Sequence, residues 1–299
     1  MNRYKERVNR RLGDNPEVRK LTGEELEKIH GLCLKMTEEI CTCCEENGIT
    51  VGLAYGSALG AVRHQGFIPW DDDMDLYITR QGFEKLKQVF TECFGGRYRL
   101  HAPNYLPGNK TRVGRIEDPT VRMEDYTGYV HGAFIDLFIL ENVPDNPLLY
   151  YFYGIRSLFY TAAAGLVIDY EFAREDRKAH GGKKPVPAEQ RLRRLIGRGL
   201  SFYTAEKWLN RLDKVNRYPS EKTGRVGIPT GRDHYFGETW RREDMTRTVR
   251  MPFEGRSFPV PAGYDRYLRG LYGDYTKIPA EEDREYHYIR SITFEEQRP

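Results

Sequence analysis

The sequence predicts an α+β protein in which a small mixed β-sheet is flanked by helices. Apolar residues repeat with a helical period over residues 22–48 and again over 82–95. Between these helices, residues 49–56 and 73–79 have the length and alternation of short strands. Since helices and strands alternate in this way, we expect the helices to cover a sheet rather than to form a bundle.

The first helix is predicted from its start signal, its period and its end. Thr22 is followed three residues later by Glu25, which is the spacing of a capping box. Gly48 follows the last apolar position and suits a helix end. A strand over 49–56 and a short helix over 57–66, beginning at Ser57, are expected next.

The stretch 73–79 alternates as a strand does, so its side chains fall into two sets. Met74, Leu76 and Ile78 share one face. Asp73, Asp75 and Tyr77 share the other. One face is therefore apolar and the other carries two carboxylates.

The chain is divided by these patterns into four segments. Further strands are predicted in the stretches that follow residue 95, and 131–146 reads as a strand that ends in a turn. Residues 147–218 are predicted to be helical, and residues 219–299 are rich in turn-forming residues. We predict an N-terminal arm (1–21), a core (22–146), a helical insertion (147–218) and a C-terminal segment that completes the same domain (219–299).

Composition restricts the class of partner. The 299 residues include 30% charged residues and carry a net charge of +3. Such a chain is globular rather than disordered. It lacks the strong positive field that favours nucleic acid, so we expect no nucleic-acid partner.

Five cysteines are present, and their spacing predicts free thiols. The number is odd, and three of them lie within 41–44, which fits neither a disulfide framework nor a zinc site. Cys33, Cys41 and Cys44 are at helical spacing, so we expect small buried side chains of one helix. Reduced thiols, together with an N-terminus that lacks the apolar core of a signal peptide, favour a cytoplasmic location.

Residues 148–168 are nearly uncharged and long enough to span a bilayer. Arg156 near the middle and the many aromatic residues favour a buried or interface-lying helix instead. The basic stretches "RYKERVNRR" and "RLRRLIGRG" either contact anionic lipid at the inner face of the membrane or are ordinary solvated helix faces.

An acidic run precedes the strand at 73–79. Asp73 and Asp75 project to the same side, and two such close carboxylates stay ionised together when a cation lies between them. Mg²⁺ (or Mn²⁺) is the natural ion for oxygen ligands. The alternative is an acidic turn. Asp71 is a weaker candidate beside the metal, and Asp72 is expected to point away and to have a structural role.

Two other features would complete a phosphate-binding site. Gly56 and Ser57 lie where a strand meets a helix, whose N-terminus favours a phosphate; the alternative is a simple turn and N-cap. Asp136 lies within the apolar stretch 132–140, where an acid needs a specific reason. It either converges with Asp73 and Asp75 or is a structural residue bonded to a backbone amide.

These blocks together resemble a known family. "AYGSALGAVRHQGFIPWDDDMDLYI" (54–78), "GAFIDLFIL" (132–140) and the segment 253–287 are similar to the LicD family, whose relatives include fukutin and fukutin-related protein. The resemblance extends over about 25–290 and is weakest in the helical middle. It implies a nucleotidyltransferase-type core with a helical insertion and a C-terminal cap.

The resemblance also implies an activity. LicD-like proteins are metal-dependent phosphotransferases that move a substituted phosphate, typically phosphocholine, from a CDP-activated donor to a sugar hydroxyl, and CMP leaves. The acceptor is a cell-surface polysaccharide, such as a teichoic acid or lipopolysaccharide, or its lipid-linked precursor. We therefore expect a CDP-alcohol donor, CDP-choline first, and a glycan or lipid-linked glycan acceptor.

Site residues follow from this activity. Asp73 and Asp75 are expected to hold the metal, and Asp136 to complete its site or to take the proton of the acceptor hydroxyl. Gly56 and Ser57 are expected to contact a phosphate.

Four basic residues are further candidates for binding the donor phosphates. Arg63 either faces the phosphates or pairs with the acids, and Arg115 either reaches a phosphate or lies on a solvated strand edge. Arg284 and His287 occupy positions where the family pattern has a basic residue and a histidine.

Two rival functions remain open at this point. A true nucleotidyltransferase would move the nucleotide itself and release pyrophosphate. An inactive glycan-binding relative would do neither, but Asp73, Asp75 and Asp136 argue against that.

Overall fold

The computed structural model describes residues 15–180 and 188–295, with side chains described outside 175–189. Most of the predicted arm, residues 1–14, therefore lies outside the described residues. Arg19, near the end of that arm, forms an antiparallel bridge with Ile289.

The described residues divide by their contacts into two units. The first comprises 15–100, 115–139 and 243–295, and the second comprises 101–114, 140–180 and 188–242. The predicted acid cluster and the C-terminal residues of the resemblance belong to the first unit.

Helices and strands alternate up to residue 101, as the sequence predicts, and two further strands then follow up to residue 143. The helices of the described residues are α1 (Gly23–Glu46), α2 (Tyr55–Arg63), α3 (Arg80–Phe94), α4 (Pro147–His180), α5 (Ala188–Leu200), α6 (Ala205–Asn216), α7 (His234–Gly237), α8 (Arg242–Thr246) and α9 (Tyr264–Tyr272). The strands are β1 (Val51–Leu53), β2 (Met74–Thr79), β3 (Arg99–His101), β4 (Gly114–Asp125), β5 (Val130–Val143), β6 (Arg225–Gly227), β7 (Thr239–Arg241), β8 (Thr248–Phe253), β9 (Arg256–Pro261) and β10 (Ile289–Phe294).

The main sheet has the strand order β1-β2-β5-β4-β10. β1 pairs antiparallel with β2, and β10 pairs antiparallel with β4. The last residues of β5 belong to the second unit, where they pair with β6, and β6 pairs with β7. This curled mixed sheet with flanking helices confirms the predicted α+β class with a nucleotidyltransferase-like core.

The predicted capping box starts α1. The Glu25 backbone N–H donates to Thr22 Oγ1 (3.3 Å), and the Thr22 N–H donates to Glu25 Oε2 (2.8 Å). The helix ends at the C-cap Asn47, and Gly48 follows with a φ of 64°. Both predicted ends of this helix are therefore confirmed to within a residue or two.

The short helix α2 begins at Tyr55, two residues before the predicted start at Ser57. Its N-cap, Ala54, makes no side-chain cap bond. Tyr55 has a φ of 41°, and its backbone N–H donates to the Tyr267 hydroxyl at 3.0 Å. The helix thus begins without a capping side chain, so the local signal at Ser57 misplaced its start.

Both faces of β2 carry buried side chains. Met74, Leu76 and Ile78 are completely buried, as the alternation predicts. Tyr77 on the other face is also buried, and it packs where Gly52 of β1 has no side chain: a Cβ there would lie 2.7 Å from the Tyr77 ring. Gly52 therefore makes room for a large aromatic core residue.

The prediction that all five cysteines are free thiols is wrong. Cys43 of α1 and Cys93 of α3 form a disulfide, with their Cα atoms 6.0 Å apart. Cys93 lies 50 residues after Cys43 in the sequence. The cluster of three cysteines within 41–44 gave no indication that one of them pairs with so distant a residue. Cys33, Cys41 and Cys44 are free and buried, and burial raises the pKa of each thiol.

The second unit has its own apolar core between α4 and α6. Ala163, Ala164 and Val167 of α4 pack with Trp208 and Leu209 of α6. Within the part of the chain that the structure describes, no helix has the length and apolarity needed to cross a membrane.

Candidate active site

A cavity of about 500 Å³ lies in the first unit, next to the acidic run. The charged and imidazole side chains that line it include Asp72, Asp73, Arg115, Asp136 and His287. Aromatic side chains form much of the remaining wall: Tyr126, Tyr129, His131, Phe134, Tyr286 and Tyr288. The cavity thus joins two of the three predicted acids, Asp73 and Asp136, to residues of the C-terminal segment, whereas Asp75 is not among its lining residues.

The acidic run forms a compact cluster with a histidine. Asp71, Asp72, Asp73 and His287 each offer one ligand atom, and these atoms all lie within 4.8 Å of one another. The cluster therefore shares Asp73 with the predicted metal set but adds three residues to it.

Asp72 does not point away from the site, so that expectation is wrong. Its Oδ1 is hydrogen-bonded to His287 Nδ1. β2 begins only at Met74, and the residues before it do not follow strand alternation. The side chain of Asp72 is 12% exposed and lies under the His287 ring, which is 58% exposed.

Asp75 lies within β2 and is half-buried. The backbone N–H of Asp75 donates to Ser57 Oγ at 2.8 Å, which fixes the strand against the start of α2. Burial raises the pKa of Asp75 well above its usual value, and the charges of Asp73, Asp136 and Asp71 add to the effect. The predicted convergence of carboxylates is thus visible in the mutual electrostatics of these side chains.

Asp136 pairs with Arg115 in a two-pronged ion pair. Arg115 Nε donates to Asp136 Oδ1 at 2.7 Å, and Nη2 donates to Oδ2 at 2.9 Å. The guanidinium carbon also lies 3.6 Å from the centroid of the Phe134 ring. Such a fork holds both side chains in one orientation at the cavity wall.

The pKa values in the cluster respond to burial and to crowding. Burial raises the pKa of Asp71 well above its usual value, with Asp73 contributing further, and burial likewise raises the pKa of Asp73. Burial also opposes ionisation of Asp72, but the charge and hydrogen bond of His287 outweigh it and lower the pKa. The charge of Asp72 in turn raises the pKa of His287 well above its usual value.

Gly56 and Ser57 have structural contacts that explain their residue types. A Cβ on Gly56 would lie 2.7 Å from Asp71 Oδ2, so glycine lets this carboxylate approach the helix. The Ser57 hydroxyl is 6% exposed and accepts from Asp75. Their contact with a substrate phosphate stays a prediction.

Two of the four basic candidates, Arg63 and Arg284, make other contacts. Arg63 Nη1 donates to the carbonyl oxygens of Tyr275 (3.0 Å) and Lys277 (3.1 Å). The Arg284 guanidinium carbon lies 4.2 Å from the centroid of the Trp70 ring. Of the four basic candidates, Arg115 and His287 line the cavity.

His30 is a site residue that the sequence reasoning missed. Its Nε2 donates to the Asp71 carbonyl oxygen at 2.7 Å, and its ring stacks on Phe67 with centroids 3.8 Å apart. It lies 41 residues before Asp71, on α1, and its position in the sequence does not indicate the contact. Only the packing of α1 against the acidic run reveals the contact.

The donor set fits a hard divalent cation. Three carboxylates and one imidazole converge, and carboxylate oxygens are the ligands that Mg²⁺ and Mn²⁺ prefer. Burial and mutual repulsion raise the pKa values of Asp71, Asp73 and Asp75, which is the behaviour of carboxylates that lack enough positive charge nearby. The residues present therefore fit a metal of this class.

Comparisons with known proteins find similar sequences. Residues 48–141 match the family model described as "LicD/FKTN/FKRP, nucleotidyltransferase domain", and this range contains all the predicted acids. A protein named lipopolysaccharide cholinephosphotransferase LicD, from Haemophilus influenzae (strain ATCC 51907 / DSM 11121 / KW20 / Rd), is 28% identical over 280 residues, which cover 91% of this chain and 98% of that protein. The chain is thus similar to the LicD family over 48–141 and to this LicD protein over most of its length.

Two other relatives match a shorter part of this chain. An uncharacterized protein of Rickettsia prowazekii (strain Madrid E) is 36% identical over 73 residues, covering 24% of this chain and 26% of that protein. An uncharacterized protein of Rickettsia typhi (strain ATCC VR-144 / Wilmington) is 37% identical over 67 residues, covering 22% and 21%.

Proposed function

We propose that the protein is a LicD-like transferase that moves phosphocholine from CDP-choline to a sugar hydroxyl of a cell-surface glycan or its lipid-linked precursor and releases CMP. The observation that supports this most directly is the cavity in which the acids of the LicD-type domain meet Arg115 and His287. The Haemophilus relative, whose name specifies cholinephosphate transfer to lipopolysaccharide, suggests the transferred group and the kind of acceptor.

The reaction is a phosphoryl transfer in which positioning and charge neutralisation do most of the work. The acceptor hydroxyl oxygen bonds to the phosphorus of the phosphocholine group, the bond from that phosphorus to the CMP oxygen breaks, and the hydroxyl proton is taken up by a carboxylate. Asp136, oriented by the two hydrogen bonds from Arg115, is our candidate for this proton acceptor.

The negative charge of the donor diphosphate requires cations at the site. A bound Mg²⁺ or Mn²⁺ would supply charge neutralisation of the phosphate oxygens and of the leaving CMP. We propose Asp73 as its central ligand, with Asp75 from the predicted set and with Asp71, Asp72 and His287 from the observed cluster as further ligands. We propose that Arg115, which lines the same cavity, also binds a phosphate oxygen.

The aromatic wall supports choline as the alcohol of the donor. A trimethylammonium group binds to aromatic faces by cation–π attraction, whereas ribitol and glycerol carry no charge. Tyr129 lines the cavity, is 40% exposed and stacks near His131 with centroids 5.9 Å apart. We expect Tyr129→Leu to raise KM for CDP-choline about tenfold, whereas Tyr129→Phe retains the ring face and the wild-type KM.

The donor assay separates the proposal from its rival. Purified protein with Mg²⁺ and a lipopolysaccharide acceptor is incubated with CDP-choline or with CTP, and CMP and pyrophosphate are measured. Release of CMP with choline incorporated into the acceptor supports the proposal. Pyrophosphate release from CTP would instead show a true nucleotidyltransferase.

A pair of double variants tests the acid cluster. Asp73→Asn with Asp75→Asn should abolish both CMP release and Mg²⁺ binding measured by calorimetry. Asp145→Asn with Asp274→Asn is the matched control, because these two carboxylates are 54% and 46% exposed and outside the cavity lining. Equal activity of the two double variants would contradict the proposed site.

The proposed reaction also implies where in the cell the protein acts. Nucleotide-activated donors are cytoplasmic compounds, so we propose that the transfer takes place in the cytoplasm, at the inner face of the membrane when the acceptor is lipid-linked. Cell fractionation after expression of the full chain tests this, and recovery of the protein outside the cytoplasmic and inner-membrane fractions would contradict it.

A further inference from the structure

The helix α4 exposes a stripe of large apolar side chains. Leu148, Phe152, Ile155 and Phe159 are 82%, 53%, 62% and 56% exposed. They follow one another at i, i+4, i+7 and i+11, so they lie along one face of the helix. A soluble helix normally buries such a stripe, and this one points away from its own unit.

The neighbouring helix α5 also exposes large apolar side chains to solvent. Its Gly197 packs against α4 so closely that a Cβ would lie 2.2 Å from the carbonyl oxygen of Leu166. At about 100° per residue, Leu192 and Leu195 fall on the side opposite Gly197, and Ile196 lies on the flank between the two sides. These three side chains are 59%, 65% and 44% exposed.

The exposed apolar residues of this region form a defined surface. Phe202 follows α5, is 66% exposed, and contacts the Trp208 ring at 5.7 Å between centroids; Phe159 of α4 approaches the same ring at 6.3 Å. We call this surface the apolar face: Leu148, Phe152, Ile155, Phe159, Leu192, Leu195, Ile196 and Phe202. Residues 147–202 contain eleven of the eighteen exposed large apolar side chains found among the described residues, so the exposure is concentrated rather than scattered.

The charged residues next to the apolar face are mostly arginines, one of which, Arg193, is paired with Asp169 of α4 (Nη2 to Oδ2, 2.6 Å). Residues 147–168 and 191–205 contain five arginines and not a single acidic residue. Arg156 lies on α4, with its guanidinium carbon 5.1 Å from the centroid of the Phe152 ring, and the other four are on α5. A second copy of this chain would bring arginines against arginines, whereas an anionic surface would be attracted to them.

We propose that the apolar face of the second unit binds to the surface of an anionic lipid bilayer. The apolar side chains would enter the boundary between headgroups and acyl chains, and the arginines would contact lipid phosphates. Long arginine side chains reach the headgroup level while their stems stay on apolar surface. The inference needs only lipid, so it stands or falls independently of the proposed transfer reaction.

Vesicle flotation of the full-length protein tests the proposal. We expect the protein to float with vesicles of phosphatidylcholine containing about 30% phosphatidylglycerol and to bind pure phosphatidylcholine at least about tenfold more weakly. Raising the salt to about 0.5 M should weaken the binding to the anionic vesicles severalfold.

Variants locate the binding surface. Leu192→Ser with Leu195→Ser should reduce the partition coefficient on anionic vesicles by on the order of tenfold or more, since each leucine would otherwise leave water. Because both side chains are exposed, the folded unit loses no buried contact. Leu106→Ser with Ile278→Ser is the matched control, as these side chains are each 57% exposed and lie outside the apolar face.

A third variant separates charge from apolar contact. Arg191→Gln, Arg194→Gln and Arg198→Gln together should remove most of the preference for phosphatidylglycerol. Wild-type protein that does not float with anionic vesicles, or a leucine double variant that floats as the wild type does, overturns the proposal. A concentration-dependent dimer in light scattering that the leucine variant abolishes, without vesicle binding, would assign the face to a protein interface instead.

Discussion

Asp73 is the carboxylate that the predicted metal set and the observed cluster have in common. It belongs to the cluster with His287 and also interacts with Asp136 and Asp75. Burial raises its pKa, so its ionised form is costly in the metal-free protein. Because a nearby cation would stabilise this ionised form, we expect Asp73 to bind one.

Asp73→Asn should therefore lower activity and leave the fold intact. We expect CMP release from CDP-choline to fall by about a thousandfold or more, because the central metal ligand is lost. The melting temperature of the metal-free variant should equal or exceed that of the wild type, because repulsion among the carboxylates is relieved. Thermal unfolding with and without Mg²⁺ checks this, and a large loss of stability without metal would contradict it.

His30 is expected to act through the position of Asp71. His30→Phe keeps the stacking on Phe67 but removes the hydrogen bond to the Asp71 carbonyl, whereas His30→Ala removes both. We expect His30→Phe to raise the Mg²⁺ concentration needed for half-maximal activity severalfold, at a stability cost of about 1 kcal/mol. An unchanged Mg²⁺ dependence in both variants would leave His30 with a packing role alone.

At the scale of elements, the start of α1 offers a stability test that depends on pH. Hydrogen bonds from the Arg19 guanidinium lower the pKa of Glu25 from 4.5 to about 2. A carboxyl with a lowered pKa in the folded state stabilises above its ordinary pKa, and the contribution is lost as pH falls from 4.5 towards about 2. Because the side chain of Arg19 is 44% exposed, we expect only about 1 kcal/mol.

The variant Glu25→Gln isolates this charge, since a glutamine still completes a capping box. Urea unfolding near neutral pH should show the variant to be less stable than the wild type, and the difference should shrink to nothing towards about pH 2. A difference that does not change with pH would contradict the ion-pair explanation.

The disulfide bond between α1 and α3 gives a second prediction at the scale of elements. Cys43 and Cys93 close a loop across 50 residues of sequence. Cys43→Ala with Cys93→Ala should lower the free energy of unfolding by about 2–4 kcal/mol relative to the oxidised wild type. Dithiothreitol should lower the unfolding midpoint of the wild type and leave the double variant unchanged; equal sensitivity of the two would show that no bond forms.

How much of the site the sequence predicts depends on where each strand begins. Alternation predicted that Asp73 and Asp75 share one face, and Asp136 was expected to converge with them. The structure puts only Asp75 within β2, because Asp71, Asp72 and Asp73 precede the strand, and the rule failed for Asp72. Contacts such as His30 with Asp71 and Cys43 with Cys93 join residues far apart in the sequence, and no local pattern specifies them.

At the scale of the whole molecule, the transfer site and the apolar face belong to different units. Their functions should therefore be separable by mutation. Leu192→Ser with Leu195→Ser should leave CMP release with a water-soluble sugar acceptor unchanged and should reduce turnover of a lipid-linked acceptor in anionic vesicles by on the order of tenfold. Equal losses on both acceptors would indicate damage to the transfer site.

The pairing of Asp72 with His287 joins positions 215 residues apart. A chain growing on the ribosome exposes the acidic run long before it exposes the histidine. During most of its synthesis the nascent protein therefore carries a carboxylate cluster without this counter-charge. The buried form of the cluster, with its histidine, can therefore be completed only when nearly the whole chain has been synthesised.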